Sequence, residues 1–330
     1  MTNLLVSTVC NQQCDYCFTA DYLAGSNRPG GFLSLDAFDD RLDFLDRSAI
    51  GQVRLMGGEP TLHPQFAGLI ARAVARNKHI VVFTNGLMPD SALSCLERLE
   101  SAACTVLINV NEPARADSAA FARRRTTLAR LGDRAMPGFN ICRTGFDPAF
   151  LLPLIAETGC RPAIRFGMAH PCLSGANRYI HPAQYVALGR RIVELARDAA
   201  RCGISLEFDC GFVRCMFSDD DLRTLSECGV DVGWRCNPIL DVDVDSNVLH
   251  CYPLARLGTL PLSPETDAES LRRAFAAMTH GYRQAGVFPE CSTCSFKVAG
   301  DCAGGCLAAT IRRFRHTPFA LEVPIEEALA

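Results

Sequence analysis

From Leu4 to about Phe208, short apolar runs alternate with amphipathic stretches. The runs Leu4–Thr8, Val53–Met56, Ile80–Thr84, Thr105–Asn109, Gly138–Cys142 and Ala163–Gly167 predict strands, because each is short and mostly apolar. Helical spacing fills the intervals. Leu35, Phe38, Leu42 and Leu45 follow Ser34, whose hydroxyl suits a helix N-cap, and Phe66, Leu69, Ile70, Ala73 and Val74 make a second apolar face. Further helices are expected over Asp90–Glu100, Ser118–Leu131, Pro148–Thr158 and Pro182–Cys202. Six strand–helix units with buried strands imply a parallel sheet with right-handed crossovers. The expected fold class is α/β, a partial (β/α)6 barrel; an open doubly wound sheet fits the periodicity almost as well.

After Phe208 the pattern changes. Cysteines become dense, helices sparse, and Gly and Pro frequent, while Ile239–Leu249 reads as a hairpin turning at Asp245-Ser246-Asn247. The expected organisation is a barrel over residues 1–208, a small cysteine-rich domain over 209–320 and a tail over 321–330. A core that thin calls for staples, which metal can supply.

Composition narrows the partners. The chain has 48% hydrophobic and 21% charged residues and a net charge of −3, the balance of a folded protein with no surplus of cations for nucleic acid or an anionic membrane. The N-terminus lacks a basic, apolar signal segment, and no run is long enough to span a bilayer, so a soluble cytoplasmic protein is expected. In a reducing cytosol, the clustered ones among the 18 cysteines point to metal binding or chemistry rather than disulfides.

Cys10-Asn-Gln-Gln-Cys14-Asp-Tyr16-Cys17 follows the first strand directly. Iron–sulfur clusters normally take four thiolates, and only three are close together here. A cubane on three cysteines keeps one iron open to an outside ligand, and the amine and carboxylate of S-adenosylmethionine can chelate it. The spacing of three residues then two, with an aromatic before the last cysteine, resembles the radical S-adenosylmethionine (SAM) superfamily. Gly57-Gly58-Glu59-Pro60 after the second strand resembles the segment by which that superfamily receives the methionine ammonium. The resemblance implies a radical-generating [4Fe–4S] cluster, SAM as cofactor and cleavage to a 5′-deoxyadenosyl radical. It also implies that Tyr16, Thr84, Asn85, Asn109, Asn140 and Arg165 contact the cofactor, most of them at strand ends where α/β folds place ligands. Asn109-Val-Asn-Glu112 departs from the Ser-Leu-Asp-Gly of many relatives.

Cys236 and Cys251 flank the hairpin, and Cys291, Cys294, Cys302 and Cys306 follow. This resembles the SPASM and twitch extensions, which hold auxiliary [4Fe–4S] clusters. Carried across, Cys236, Cys251 and Cys306 hold an inner cluster with one more ligand upstream: Cys228 as nearest candidate, Cys210 or Cys215 as alternatives. Cys291, Cys294 and Cys302 hold an outer cluster whose usual last cysteine is missing, leaving His316, a non-protein ligand or a single redistributed cluster. Zinc is the alternative metal for such pairs. Asp241, Asp243 and Asp245 mimic a calcium loop, but Ser246 stands where its glycine belongs and Tyr252 where its glutamate belongs.

Cys95, Cys104, Cys142, Cys160 and Cys202 read as small buried hydrophobes, and Arg123-Arg124-Arg125 as a solvated helix face. Cys210 and Cys215, between barrel and appendage, are candidate catalytic thiols: ligands, or hydrogen-atom donors to a substrate radical. The resemblance implies a radical SAM oxidoreductase that cross-links, epimerises or oxidises a ribosomally made peptide, with flavodoxin or ferredoxin as electron donor. The alternatives are the same chemistry on a small metabolite and a non-enzymatic iron–sulfur electron carrier.

Overall fold

The computed structural model describes residues 2–24, 31–111, 118–173 and 177–314. His316, Glu112 and the tail over 321–330 lie outside the described residues. Seven parallel strands run side by side in chain order: β1 (Asn3–Ser7), β2 (Gln52–Gly57), β3 (His79–Thr84), β4 (Cys104–Asn109), β5 (Ala135–Ile141), β6 (Ala163–Met168) and β7 (Ser205–Phe208). The helices between them are α1 (Ala20–Ala24), α2 (Leu35–Arg47), α3 (Phe66–Ala75), α4 (Asp90–Glu97), α5 (Ser118–Leu131), α6 (Leu151–Thr158) and α7 (Tyr185–Arg201). This is an α/β partial barrel. Every residue of β1 is buried, as a strand covered on both faces requires.

Ser34 caps α2, its hydroxyl accepting from the Ala37 amide at 3.2 Å, and Phe38, Leu42 and Leu45 are buried below it. The α3 face holds Phe66, Leu69, Ile70 and Ala73, but Val74 stands exposed, just off the stripe. The seventh strand escaped the sequence reading. Ser205-Leu-Glu-Phe208 has only four residues, and Ser205 and Glu207 are exposed, so it carries no apolar run.

The later chain adds α8 (Asp219–Glu227), β8 (Asp241–Val242), β9 (Asn247–Leu249), β10 (Thr259–Pro261), α9 (Ala268–Ala285), α10 (Ser295–Val298) and α11 (Leu307–Phe314). Strand β8 pairs parallel to β1, so the predicted hairpin extends the barrel sheet through Asn3↔Asp241 and Leu4↔Val242. The expectation that helices are sparse here fails: α9 alone has 18 residues. Its buried stripe, Ala268, Leu271, Phe275 and Thr279, contains one small and one polar residue, too faint a signal to read as periodicity.

The hairpin aspartates are structural. The Asp243 carboxylate accepts from the Asp245 and Asn247 amides at 2.8 and 2.7 Å, closing a turn in which Ser246 has φ +67°. Asp241 accepts from Asn3 Nδ2 at 2.7 Å and the Tyr252 amide at 2.9 Å, tying β8 to β1. Among the described residues no helix is long and apolar enough to cross a membrane.

Candidate active site

A cavity of about 1730 Å³ opens at the C-terminal ends of the parallel strands. The loop after β1 carries Cys10, Cys14 and Cys17 to its wall, with Tyr16 beside them. Cys10 is exposed and the other two half-buried, within electrostatic reach of one another. Burial pushes the Cys10 and Cys14 thiols up, and each neighbouring thiolate adds to that. The loop is held from three sides. The Gly58 amide donates to Ser7 O at 2.8 Å and the Glu59 amide to Val9 O at 2.7 Å. Asn85 Nδ2 donates to Asn11 Oδ1 at 2.8 Å, and Asn11 Nδ2 to Leu87 O at 2.9 Å. Arg124 of α5 donates to Asn85 O at 2.8 Å and to Gln12 Oε1 at 3.1 Å. Arg124 is thus buried, a correction to the solvated triple-arginine face; only its neighbours Arg123 and Arg125 are exposed.

Gly57, Gly58, Thr84, Asn85, Asn109, Asn140 and Arg165 all line the cavity, as expected of strand-end residues. Glu59 and Pro60 do not. The Glu59 carboxylate is fully buried: Oε1 accepts from the Thr61 amide (3.1 Å), Thr61 Oγ1 (2.6 Å) and Thr84 Oγ1 (2.7 Å), and Oε2 from the Asn85 amide (2.8 Å). The segment is expected to receive the methionine ammonium; its Glu59 carboxylate turns inward and pins the β2 loop to the β3 loop. Burial raises its pKa, opposed by those four bonds. Glu59→Gln places an NH2 against donors and should cost about 1–3 kcal/mol of stability, read in thermal melts; an unchanged melting temperature refutes the pinning role.

The later cysteines divide. Cys210, Cys236, Cys251 and Cys306 line the same cavity as the N-terminal trio, whereas Cys215, Cys228, Cys291, Cys294 and Cys302 do not. Cys228 closes the C-terminal end of α8, and the thiols within electrostatic reach of Cys251 are Cys236, Cys306 and Cys210. Cys215 lies off the cavity wall and is exposed. Of the single cysteines, Cys95, Cys104 and Cys160 are buried as expected, Cys142 is half-buried and Cys202 is exposed at the end of α7.

Residues 4–137 match the Radical SAM superfamily. The chain carries a radical SAM domain. GTP 3′,8-cyclase of Klebsiella pneumoniae is 42% identical over 88 residues, and that of Pectobacterium atrosepticum 37% over 86. Each alignment covers 25% of this chain and 26% of the relative, so the match spans about a quarter of those enzymes. In fold, the chain is similar to Streptococcus suis SuiB bound to precursor peptide SuiA, with TM-score 0.69, 13% identity, and 94% of this chain and 72% of that one covered. It is likewise similar to anSMEcpe with bound AdoMet and Kp18Cys peptide, with TM-score 0.63, 17% identity, and 92% and 88% covered.

The radical SAM domain's residues fit the family's [4Fe–4S] cluster and SAM. Three thiols brought close together on the wall of an open cavity are the soft sulfur donor set such a cluster takes, with room beside it for SAM. Arg54 and Asn111 join the expected residues on the cavity wall. Arg54 and Arg165 both lie over the Phe83 ring, their guanidinium carbons 4.8 and 5.0 Å from its centroid, and Arg165 pairs with Asp209. Asn111 exchanges hydrogen bonds with the Asn140 backbone at 2.9 and 3.2 Å, and His170 Nε2 donates to Cys210 O at 3.2 Å. A charge inside an apolar strand, Arg54 in Val53–Met56, is the signal that points into a barrel lumen.

Proposed function

We propose that this chain cleaves SAM reductively and uses the resulting adenosyl radical to take a hydrogen atom from a ribosomally made peptide, which is then cross-linked, epimerised or oxidised. The observation that carries this reading is the shared cavity. At about 1730 Å³ it exceeds the roughly 300–1,000 Å³ of a pocket for one small ligand and is lined by both thiol groups. It therefore suits a cofactor together with an extended substrate. A [4Fe–4S] cluster on Cys10, Cys14 and Cys17 supplies the electron that breaks the carbon–sulfur bond of SAM. Tyr16, Thr84, Asn109, Asn140 and Arg165 present polar groups to the cofactor's ribose, carboxylate and adenine, with Asp209 fixing the Arg165 guanidinium. Gly57 and Gly58 let the β2 loop lie against the cysteine loop. A flavodoxin or ferredoxin in the cytoplasm donates the electron, without a nucleic-acid or membrane partner. An electron carrier has no use for an open cavity beside three thiols.

Peptide is favoured over metabolite because two solved proteins of this fold, at the coverage given above, carry peptides. The identity to GTP 3′,8-cyclases favours a second reading, a nucleotide substrate. The two separate in one assay. Anaerobic reconstituted protein with SAM and dithionite should form 5′-deoxyadenosine faster when the product of a short peptide gene adjacent to its own is added, and the peptide should lose hydrogen or gain a D-residue. Stimulation by GTP alone, with the peptide unaltered, overturns the peptide reading.

A further inference from the structure

We infer that the segment from Asp209 to Phe217 supplies one ligand to each of two auxiliary iron–sulfur clusters: Cys210 completes a set with Cys236, Cys251 and Cys306, and Cys215 completes a set with Cys291, Cys294 and Cys302. This replaces both the upstream Cys228 and the missing cysteine after Cys306.

The first set converges on the cavity from four elements. Cys210 follows β7, its carbonyl 3.2 Å from His170 Nε2. The turn after it requires glycine: Gly211 has φ +98°, and a Cβ there would stand 2.1 Å from the His170 ring. Cys236 O accepts from Arg283 at 2.6 Å, which fixes the second thiol's backbone, and Cys251 ends the hairpin. Cys306 opens α11, where the amides of Leu307, Ala308 and Ala309 reach the Cys236 and Cys306 sulfurs. Amides aimed at sulfur are what a thiolate, or a cluster it holds, accepts.

The second set lies on the outer side. Val213 packs against Gly305, whose added Cβ would meet it at 3.0 Å, and the Arg214 guanidinium carbon sits 3.8 Å from the Phe296 ring centroid, on α10 between Cys294 and Cys302. The single turn Arg214–Met216 therefore presents Cys215 to Cys291, Cys294 and Cys302, the thiols it faces. Gly304 N donates to Cys302 Sγ at 3.4 Å, and Gly286 passes so close to Cys291 that a Cβ would meet its sulfur at 2.8 Å. Five residues of chain reach at most about 17 Å, enough to join neighbouring clusters and short enough to tie them.

Zinc fits less well. Among the described residues no three His, Cys, Asp or Glu side chains converge as closely as the ligands of one ion do, at Zn–S bonds of about 2.3 Å. A four-iron cluster takes its cysteines at wider spacing. Four thiolates per set leave no auxiliary iron open to a substrate atom, so these clusters serve electron transfer and folding rather than substrate ligation.

The test measures iron and spectra without turnover. The full-length Cys10→Ala/Cys14→Ala/Cys17→Ala protein, reconstituted anaerobically, should hold about eight irons per chain as two cubanes. Adding Cys210→Ala should remove or alter one reduced-cluster EPR signal, and adding Cys215→Ala the other, with iron falling toward about four in each case. Cys228→Ala should change neither. Where an alanine variant yields no folded protein, Cys210→Ser or Cys215→Ser decides: an oxygen ligand shifts that cluster's EPR signal while iron is retained. Eight irons and unchanged spectra in both the Cys210 and Cys215 variants, or only one cluster in the starting triple variant, overturn the assignment.

Discussion

Replacing Cys10, Cys14 and Cys17 together with alanine should abolish 5′-deoxyadenosine formation while the protein stays folded. The three thiols sit on a loop that is exposed or half-buried, outside the packed barrel, so little apolar contact is lost. The loop's backbone ties through Ser7 and Val9, and its side-chain ties from Asn11 to Asn85 and from Gln12 to Arg124, do not pass through the sulfurs. What disappears is the site for a cluster with one open iron, and iron should fall by about four per chain. Circular dichroism checks the fold and iron analysis checks the site. Full SAM cleavage by this variant would place the radical chemistry elsewhere in the chain.

Gly58→Ala should have the second-largest effect, although it touches no thiol directly. An added Cβ would stand 2.4 Å from Val9 O, 2.6 Å from Val9 C and 2.9 Å from Cys10 Cβ. The first two obstacles are backbone, which cannot rotate away as a side chain does, so the cysteine loop must move outward. Overpacking of this kind costs about 1–3 kcal/mol, and a shift of about 1 Å in a catalytic group lowers turnover by about 100-fold. The expected result is a lower melting temperature, incomplete iron loading and slow SAM cleavage. Normal iron content with normal turnover would mean that the Gly57-Gly58 approach does not position Cys10.

These two variants also mark how far the sequence could be read. The first six strands were legible because each is short, buried or half-buried, and mostly apolar, even where a polar residue such as Arg54 or Arg165 interrupts the run. Strand β7 was not, because an edge strand keeps one face in water and Ser205 and Glu207 occupy it. The cysteine trio and Gly57-Gly58 were legible as local motifs, since their chemistry depends on spacing along the chain. The direction of the Glu59 side chain was not: the same carboxylate can face a cofactor or four hydroxyl and amide donors, and Thr61, Thr84 and Asn85, which supply them, decide it. Arg124 shows the same limit, because one arginine of three on a helix turns inward only when a loop 112 residues away offers Gln12. The proposed pairing of Cys210 and Cys215 with separate thiol sets rests on tertiary placement: Cys210 lines the cavity and Cys215 does not. In sequence the two are nearer to Cys228 than to any cysteine of the hairpin, and only the turn at Gly211 sends them apart.

The account rests on SAM ligating the open iron of a cluster on Cys10, Cys14 and Cys17. The most direct measurement is hyperfine spectroscopy of the reduced protein with SAM labelled at the methionine amine nitrogen and carboxylate oxygen. Coupling of both labels to the cluster, lost in the Cys10/Cys14/Cys17 triple variant, is the predicted result. A reduced, iron-replete protein that binds labelled SAM yet shows no coupling to either atom would contradict it.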